Sequence, residues 1–347
     1  MNNDITLRFK QNGKFRILCI SDFHLSKNTN LARHYTDKLI KGIDVLIEET
    51  HPDFVMIGGD QCIDRETPEE VREYMCEVLE PVLKRNLPWA AIFGNHDRET
   101  GINIKDEMKI YKSIPGCLSE EGPEDIFGTG NFTIPVLSSK NDSIAYNLWA
   151  FDSGRVVEDC IDYFGLDKDT KIRLPHHFNE GQDGSSVLFD QVMWYYNESV
   201  KYEKENGRKI PGVMFMHIPL PEYLQVLRNP EECNAMGSKR EAPGCCELNS
   251  GLFMAALQRG DIKGIFFGHE HLIDIQGEYC GITLACDAAI GYNMSCHDDL
   301  RGGRVIDLYE DGGMETHNVK LIDLMGVDAM REPGYFEGGC RYHIRTL

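Results

Sequence analysis

Basic residues are scarce: 36 Lys and Arg stand against 56 Asp and Glu in 347 residues, a formal charge of −20. So acidic a chain lacks the clustered cations that displace counterions from DNA or RNA, and nucleic-acid backbone binding is not expected. No apolar run approaches the roughly 20 residues needed to cross a bilayer. Asp4, Arg8, Lys10, Lys14 and Arg16 stand where a signal peptide would carry its apolar core. The expectation is therefore a cytoplasmic protein with no membrane partner. Among 12 cysteines no CxxC pair occurs, and adjacent Cys245 and Cys246 are poorly placed to bridge each other. Reduced thiols, most of them small core residues, fit better than a disulfide framework. Internal repeats, linkers and low-complexity tracts are missing too, so one domain over residues 1–347 is the economical description.

What is present is a globular composition, 41% apolar and 10% aromatic, which can bury a large core. Short apolar runs at 15–20, 54–57, 89–93, 132–137, 144–151, 213–216 and 265–267 read as strands. Leu31, Tyr35, Leu39, Ile43, Leu46 and Ile47 recur at helical spacing until His51-Pro52 stops them. Thr67, Pro68 and Glu70 supply an N-cap, a first-turn proline and a capping-box acid for the next helix. Leu188, Val192, Tyr195, Tyr196 and Ser199 predict a helix over about 185–205, and their spacing assigns Trp194, Tyr195 and Tyr196 to packing rather than to stacking a base. Strand then helix, repeated, predicts right-handed βαβ units, in which ligands gather beyond the carboxyl ends of strands. Residues 159–184 read as a polar surface excursion, where His176 and His177 either line a substrate mouth or face water. Residues 305–347 carry no interpretable motif.

The chemistry lies at the carboxyl ends of the apolar runs. Five of them end in His, Asp or Asn: Asp22 and His24, Asp60, Asn95 and His96, His217, then His269 and His271. A lone histidine there is ordinarily a satisfied core residue, but five such endings together are another matter. Asp22/His24 and His269/His271 each have i, i+2 spacing, which in an extended segment puts both side chains on one side. Carboxylates, imidazoles and one amide without cysteine suit Mn, Fe or Zn rather than a thiolate site or an all-oxygen calcium cage. The seven candidate ligands Asp22, His24, Asp60, Asn95, His217, His269 and His271 are too many for one ion. They are about right for two ions that share a bridging carboxylate.

The order DxH (Asp22, His24), GD (Gly59, Asp60), GNHD (Gly94 to Asp97), His217 and GHxH (Gly268 to His271) resembles the calcineurin-like metallophosphoesterase superfamily. PWAAIFGNHD, MHIPLPE and the GHEH segment look like its purple-acid-phosphatase-like branch. The resemblance implies an α/β (α+β) fold, a four-layer αββα sandwich of two mixed β-sheets flanked by helices. It also implies one metal held by Asp22, His24, Asp60 and His271, and a second held by Asp60, Asn95, His217 and His269. His96 would sit by the leaving group as general acid or phosphate-stabilising donor, and a metal-bridging hydroxide would be the nucleophile. Purple enzymes carry a tyrosine three residues after the GD aspartate, where this chain has Ile63, so no tyrosinate-to-iron colour is expected. Many relatives place an acid there to support the histidine, whereas here the nearest acid is Asp64, four residues on.

These features predict a metal-dependent phosphoric ester hydrolase; the subgroup resemblance implies that it acts on phosphomonoesters, with a small phosphorylated substrate or a phosphoprotein as partner. A phosphodiesterase on nucleotides or other diesters, and a non-catalytic metal-binding regulatory protein, are the alternatives. A binuclear amidohydrolase also uses HxH, but after its first strand, whereas here that pair comes last. Asp97 is expected to hold its loop through backbone amides. Arg98 is open between a phosphate fork and a solvated side chain, and Glu120, Glu121, Glu124 and Asp125 read as a solvated loop.

Overall fold

The computed structural model describes residues 5–28, 32–155, 163, 165, 187–245, 248–294 and 296–330. Alternation along one strand sets the layering. In β2 (Lys14–Ile20), Ile17 and Cys19 join a cluster with Ile134, Leu148, Phe215 and Phe266, whereas Leu18 and Ile20 join Leu39, Ile43 and Val71. Successive side chains of a strand point to opposite faces. One face of β2 therefore meets another sheet, and the other meets the helices Ala32–Thr50 and Pro68–Val78.

The remaining strands are β1 (Leu7–Arg8), β3 (Phe54–Ile57), β4 (Trp89–Ala91), β5 (Phe132–Leu137), β6 (Ile144–Ala150), β7 (Gly212–Met216) and β8 (Ile262–Phe267), then β9 (Gln276–Tyr279), β10 (Ile282–Cys286), β11 (Gly302–Tyr309) and β12 (Met314–Lys320). They form a seven-stranded sheet in the order β1-β5-β6-β7-β8-β10-β9 and a five-stranded sheet in the order β12-β11-β2-β3-β4. Both are mixed: β2, β3 and β4 run parallel, as do β6, β7, β8 and β10, while β11 is antiparallel to β2 and β9 to β10. On the outer face of the larger sheet, Trp149, Met214 and Ile265 pack with Val192, Tyr195 and Phe253 of the helices Phe189–Asn206 and Leu252–Arg259. The result is the expected order of helix, sheet, sheet and helix.

Local signals explain the element ends. The Thr67 hydroxyl caps Pro68–Val78 by accepting the Glu70 amide at 3.2 Å. The reciprocal half of the box closes one residue earlier than expected, because Glu66 N–H, not Thr67 N–H, donates to the Glu70 carboxylate at 2.8 Å. Tyr195 is fully buried with its hydroxyl on Asp261 at 2.5 Å, and Trp194 meets Trp149 edge-on, so these aromatics belong to the packing. His176 and His177 lie outside the described residues, as does most of 159–184. No helix among the described residues is long and apolar enough to cross a membrane.

Two strands were not foreseen within the uninterpreted C-terminal segment. β11 lies inside the smaller sheet, between β12 and β2, and is buried along nearly its whole length, although it carries Arg304 and Asp307. Its charges are paired: Asp307 takes Arg16 Nε at 2.7 Å and Nη2 at 2.8 Å, and Arg304 donates to the Cys286 carbonyl at 2.7 Å and to Gln276 at 2.7 Å.

Candidate metal centre

Every predicted ligand stands just past the carboxyl end of a parallel strand: Asp22 and His24 after β2, Asp60 after β3, Asn95 after β4, His217 after β7, His269 and His271 after β8. The structure brings them to one place. Asp60 lies at its centre, with Oδ2 3.1 Å from His24 Nε2 and 3.1 Å from His217 Nε2. Asp22 Oδ1 is 3.5 Å from His271 Nε2 and 3.7 Å from His24 Nε2. His269 Nδ1 meets Asn95 Oδ1 at 3.0 Å, and its ring lies 5.3 Å from that of His217.

Three groups of donors lie within 4.8 Å of one another: Asp22, His24 and His271; Asp60, His217 and His269; and His24, Asp60 and His96. The first two match the two subsites that the resemblance implies, with Asp60 also beside His24. The third puts His96 at the edge of the pair, its ring 4.9 Å from that of His24.

The backbone that achieves this differs from the expectation. Asp22 and His24 are not on an extended segment: their φ angles are 58° and 46°, and Asp60 and His269 are left-handed too, at 53° and 71°. Convergence therefore comes from successive left-handed turns rather than from strand alternation. Such conformations are uncommon outside glycine and cluster where a site demands them. The turns are stitched together, since Asp22 N–H donates to the Gly59 carbonyl at 3.0 Å and His24 N–H to the Asp60 carbonyl at 3.1 Å. Gly59, at φ 102°, admits no side chain, because a Cβ would stand 2.4 Å from His217 Nδ1; at Gly94 a Cβ would stand 2.1 Å from Asp60 Oδ1.

Asp97 is the clasp between the loops. Its Oδ1 accepts the amides of Gln61 and Cys62 at 2.9 Å, and its Oδ2 those of Asp60 at 2.9 Å and Gly94 at 2.7 Å. Arg98 is tied as well, through Nη1 to the Gly94 carbonyl and through Nη2 to both oxygens of fully buried Asp152 at 2.8 and 2.6 Å. Asp64 does not support His96. It accepts from Ser26, Lys27 N–H, Asn28 and Arg65 and so binds its own loop to the one after His24.

The buried carboxylates and imidazoles of the cluster shift one another. Burial opposes ionisation of Asp60, but His217 and His24 outweigh it and hold the carboxyl well below its ordinary value. Burial would lower His24, yet Asp60 and Asp22 raise it to about 10, and His217 is held up at about 9 in the same way. His269 is pushed down to about 3 by burial and by the charge of His217. Asp22 Oδ1, His24 Nε2, Asp60 Oδ2 and His217 Nε2 are buried with no hydrogen-bond partner among the described residues, the 3.1 Å approaches being unaligned for one. Buried unpaired donors of this kind are costly unless they face a cation. His217 Nδ1 also meets the Gly58 carbonyl at 2.8 Å, which leaves Nε2 turned to Asp60, as an outer contact orients a metal-binding imidazole. The donor set therefore fits two transition-metal ions.

Sequence reasoning missed part of the wall. A cavity of about 160 Å3 opens over the site, lined by Asp60, His96, His269 and His271 and also by Glu241, Gly244 and Glu270. Glu270, the x of GHxH, is pushed up to about 8 by burial and by Glu241 and accepts Gly244 N–H at 2.6 Å. Glu241 comes from a distant loop that no motif marks. It docks by accepting Leu272 N–H at 2.5 Å.

The calcineurin-like phosphoesterase family model matches residues 15–272. The chain is 28% identical over 313 residues to probable inactive purple acid phosphatase 14 of Arabidopsis thaliana, across 83% of this chain and 73% of that protein. It is 25% identical over 287 residues to the phosphatase DCR2 of Saccharomyces cerevisiae, across 77% of this chain and 45% of the yeast protein. The fold is similar to that of a dimetal phosphatase from Danio rerio, with a TM-score of 0.55 at 11% identity over 88% of this chain and 97% of that one.

Proposed function

The chain belongs to the calcineurin-like phosphoesterase family, and from that premise we propose that it is a catalytically competent, dinuclear-metal-dependent phosphomonoesterase. The observation that carries this reading is the complete donor set around Asp60, with four buried donor atoms left for cations to satisfy. Asp22, His24, Asp60 and His271 would hold one ion, and Asp60, Asn95, His217 and His269 the other, with Mn, Fe or Zn suited to such donors. When bound, two such ions supply Lewis-acid charge that neutralises phosphoryl oxygens and activates water for in-line displacement.

The chain's own residues do the rest. Asp60 keeps the two subsites together, and Asp97 fixes the backbone that carries it. His96, half-buried at the cavity wall, donates its ring proton to the departing alcohol oxygen as the phosphorus–oxygen bond breaks. A small phosphorylated molecule or a phosphorylated protein side chain is the substrate class.

The monoester preference is supported by relatives named phosphatases. The word inactive in the plant relative's name favours a second reading, a non-catalytic metal-binding regulatory protein. One experiment separates them: reconstitution with Mn, Fe or Zn, then p-nitrophenyl phosphate compared with its bis-ester. Turnover of the monoester is expected. Turnover of the bis-ester alone would make the protein a diesterase, and no turnover with two ions bound would make it a regulator.

A further inference from the structure

The residues 96 to 99 form a single 3-10 turn, His96–Glu99, in which positions i and i+3 lie one above the other. Its backbone is clamped: Asp97 turns inward onto four amides, and Arg98 is held by the Gly94 carbonyl and Asp152. The His96 ring, by contrast, is 39% exposed, and its Nδ1 lies 2.8 Å from Oε1 of Glu99. Glu99 is the one carboxylate among the described residues that hydrogen-bonds this ring.

We propose that Glu99 is a positioning residue for the leaving-group step, holding the His96 ring with Nδ1–H toward itself and Nε2 toward the substrate. This rests on the proposed role of His96 at the leaving group. A carboxylate only accepts, so the shared proton belongs to Nδ1. Nε2 then faces the cavity, where the ring stands 4.9 Å from that of His24. As water oxygen bonds to phosphorus and the bond from phosphorus to the ester oxygen breaks, the Nε2 proton passes to that oxygen, the product leaves as an alcohol, and the proton lost by the attacking water returns to the ring through solvent. Glu99 itself takes no part in making or breaking a bond to phosphorus. It fixes the ring's rotation and tautomer, as an acid oriented behind an imidazole does.

The role would be felt where the departing oxygen needs its proton. On a glycerol phosphate, a poor leaving group, Glu99→Ala in the Mn-loaded protein should lower kcat roughly tenfold or more with KM little changed. On p-nitrophenyl phosphate, whose phenolate departs unaided, the loss should be at most about twofold. In a His96→Ala background the second substitution should add nothing. A readout independent of turnover is the ring 15N spectrum of the metal-free protein, with His96 assigned by its loss in His96→Ala. The proton should sit on Nδ1 in the parent and shift toward Nε2 in Glu99→Ala.

Equal losses on both esters, losses that add to those of His96→Ala, or an unchanged ring spectrum would each overturn the assignment. If His96→Ala is strongly selective for the alkyl ester while Glu99→Ala is silent, Glu99 alone is removed. If His96→Ala costs nothing on the alkyl ester, the leaving-group reading fails and Glu99's part in it falls as well.

Discussion

Asp97 Oδ2 accepts the Asp60 amide at 2.9 Å, so the one carboxylate holds in place the backbone of the other, at the centre of the donor cluster. Burial and the charge of Asp60 push the Asp97 carboxyl up to about 7 against the pull of its amide donors. Asp97→Asn would turn an NH2 group toward two of the four amides. A stability loss of about 1–3 kcal/mol is expected from the unsatisfied groups, together with weaker metal binding. Chemical denaturation and calorimetric metal titration check this; a variant that binds two ions as tightly as the parent would show that the clasp is dispensable.

Asp60 itself should govern both ions. Asp60→Asn removes the negative charge that both His24 and His217 face at 3.1 Å, and elemental analysis should find both positions emptied or weakened. Two full equivalents of metal would refute a bridging role.

The Arg98 guanidinium does not reach toward the cavity as a phosphate fork but pairs with buried Asp152. Arg98→Ala would strand that carboxylate, which also accepts Thr129 N–H and Gly154 N–H. A loss on the order of 3 kcal/mol is expected, measured as a lowered denaturation midpoint, with KM for p-nitrophenyl phosphate unchanged. A raised KM without destabilisation would return Arg98 to the substrate.

Stability at low pH should depend on the strand nobody would pick from the sequence. Burial opposes ionisation of Asp307, but Arg16 and Lys14 outweigh it and hold the carboxyl below its ordinary value. A carboxyl lowered in the folded state contributes stability above its unfolded value, about 4, and loses it as pH falls through the folded one. Asp307→Asn should therefore be less stable than the parent by about 1–3 kcal/mol at neutral pH. The gap should close below about pH 4. A gap that stays constant with pH would assign the loss to packing.

The parts of the fold legible in the sequence were those in which burial acts on apolar side chains. β2, β3, β4, β7 and β8 are short, largely buried runs, and each gives way within a few residues to a turn that carries one or two of the converging polar side chains. β11 was not legible, because Arg304 and Asp307 look solvent-seeking until their partners Gln276 and Arg16 are in place. Which residues converge on Asp60 could be anticipated from their order along the chain. Their backbone could not: i, i+2 spacing suggested extended chain, and nothing in the letters of Asp22 or His24 announces a left-handed turn. Glu99 was within reach, three residues after His96 on a short turn. Glu241 was not, because only the docking of its loop against Leu272 brings it to the cavity.

The donors come from both halves of the chain: Asp22, His24, Asp60 and Asn95 precede β5, whereas His217, His269 and His271 follow β6. A chain severed in the hairpin between those two strands would leave each fragment with an incomplete cage. Neither piece alone would carry the full set of these side chains, so the cluster exists only once both halves of the sandwich have folded together.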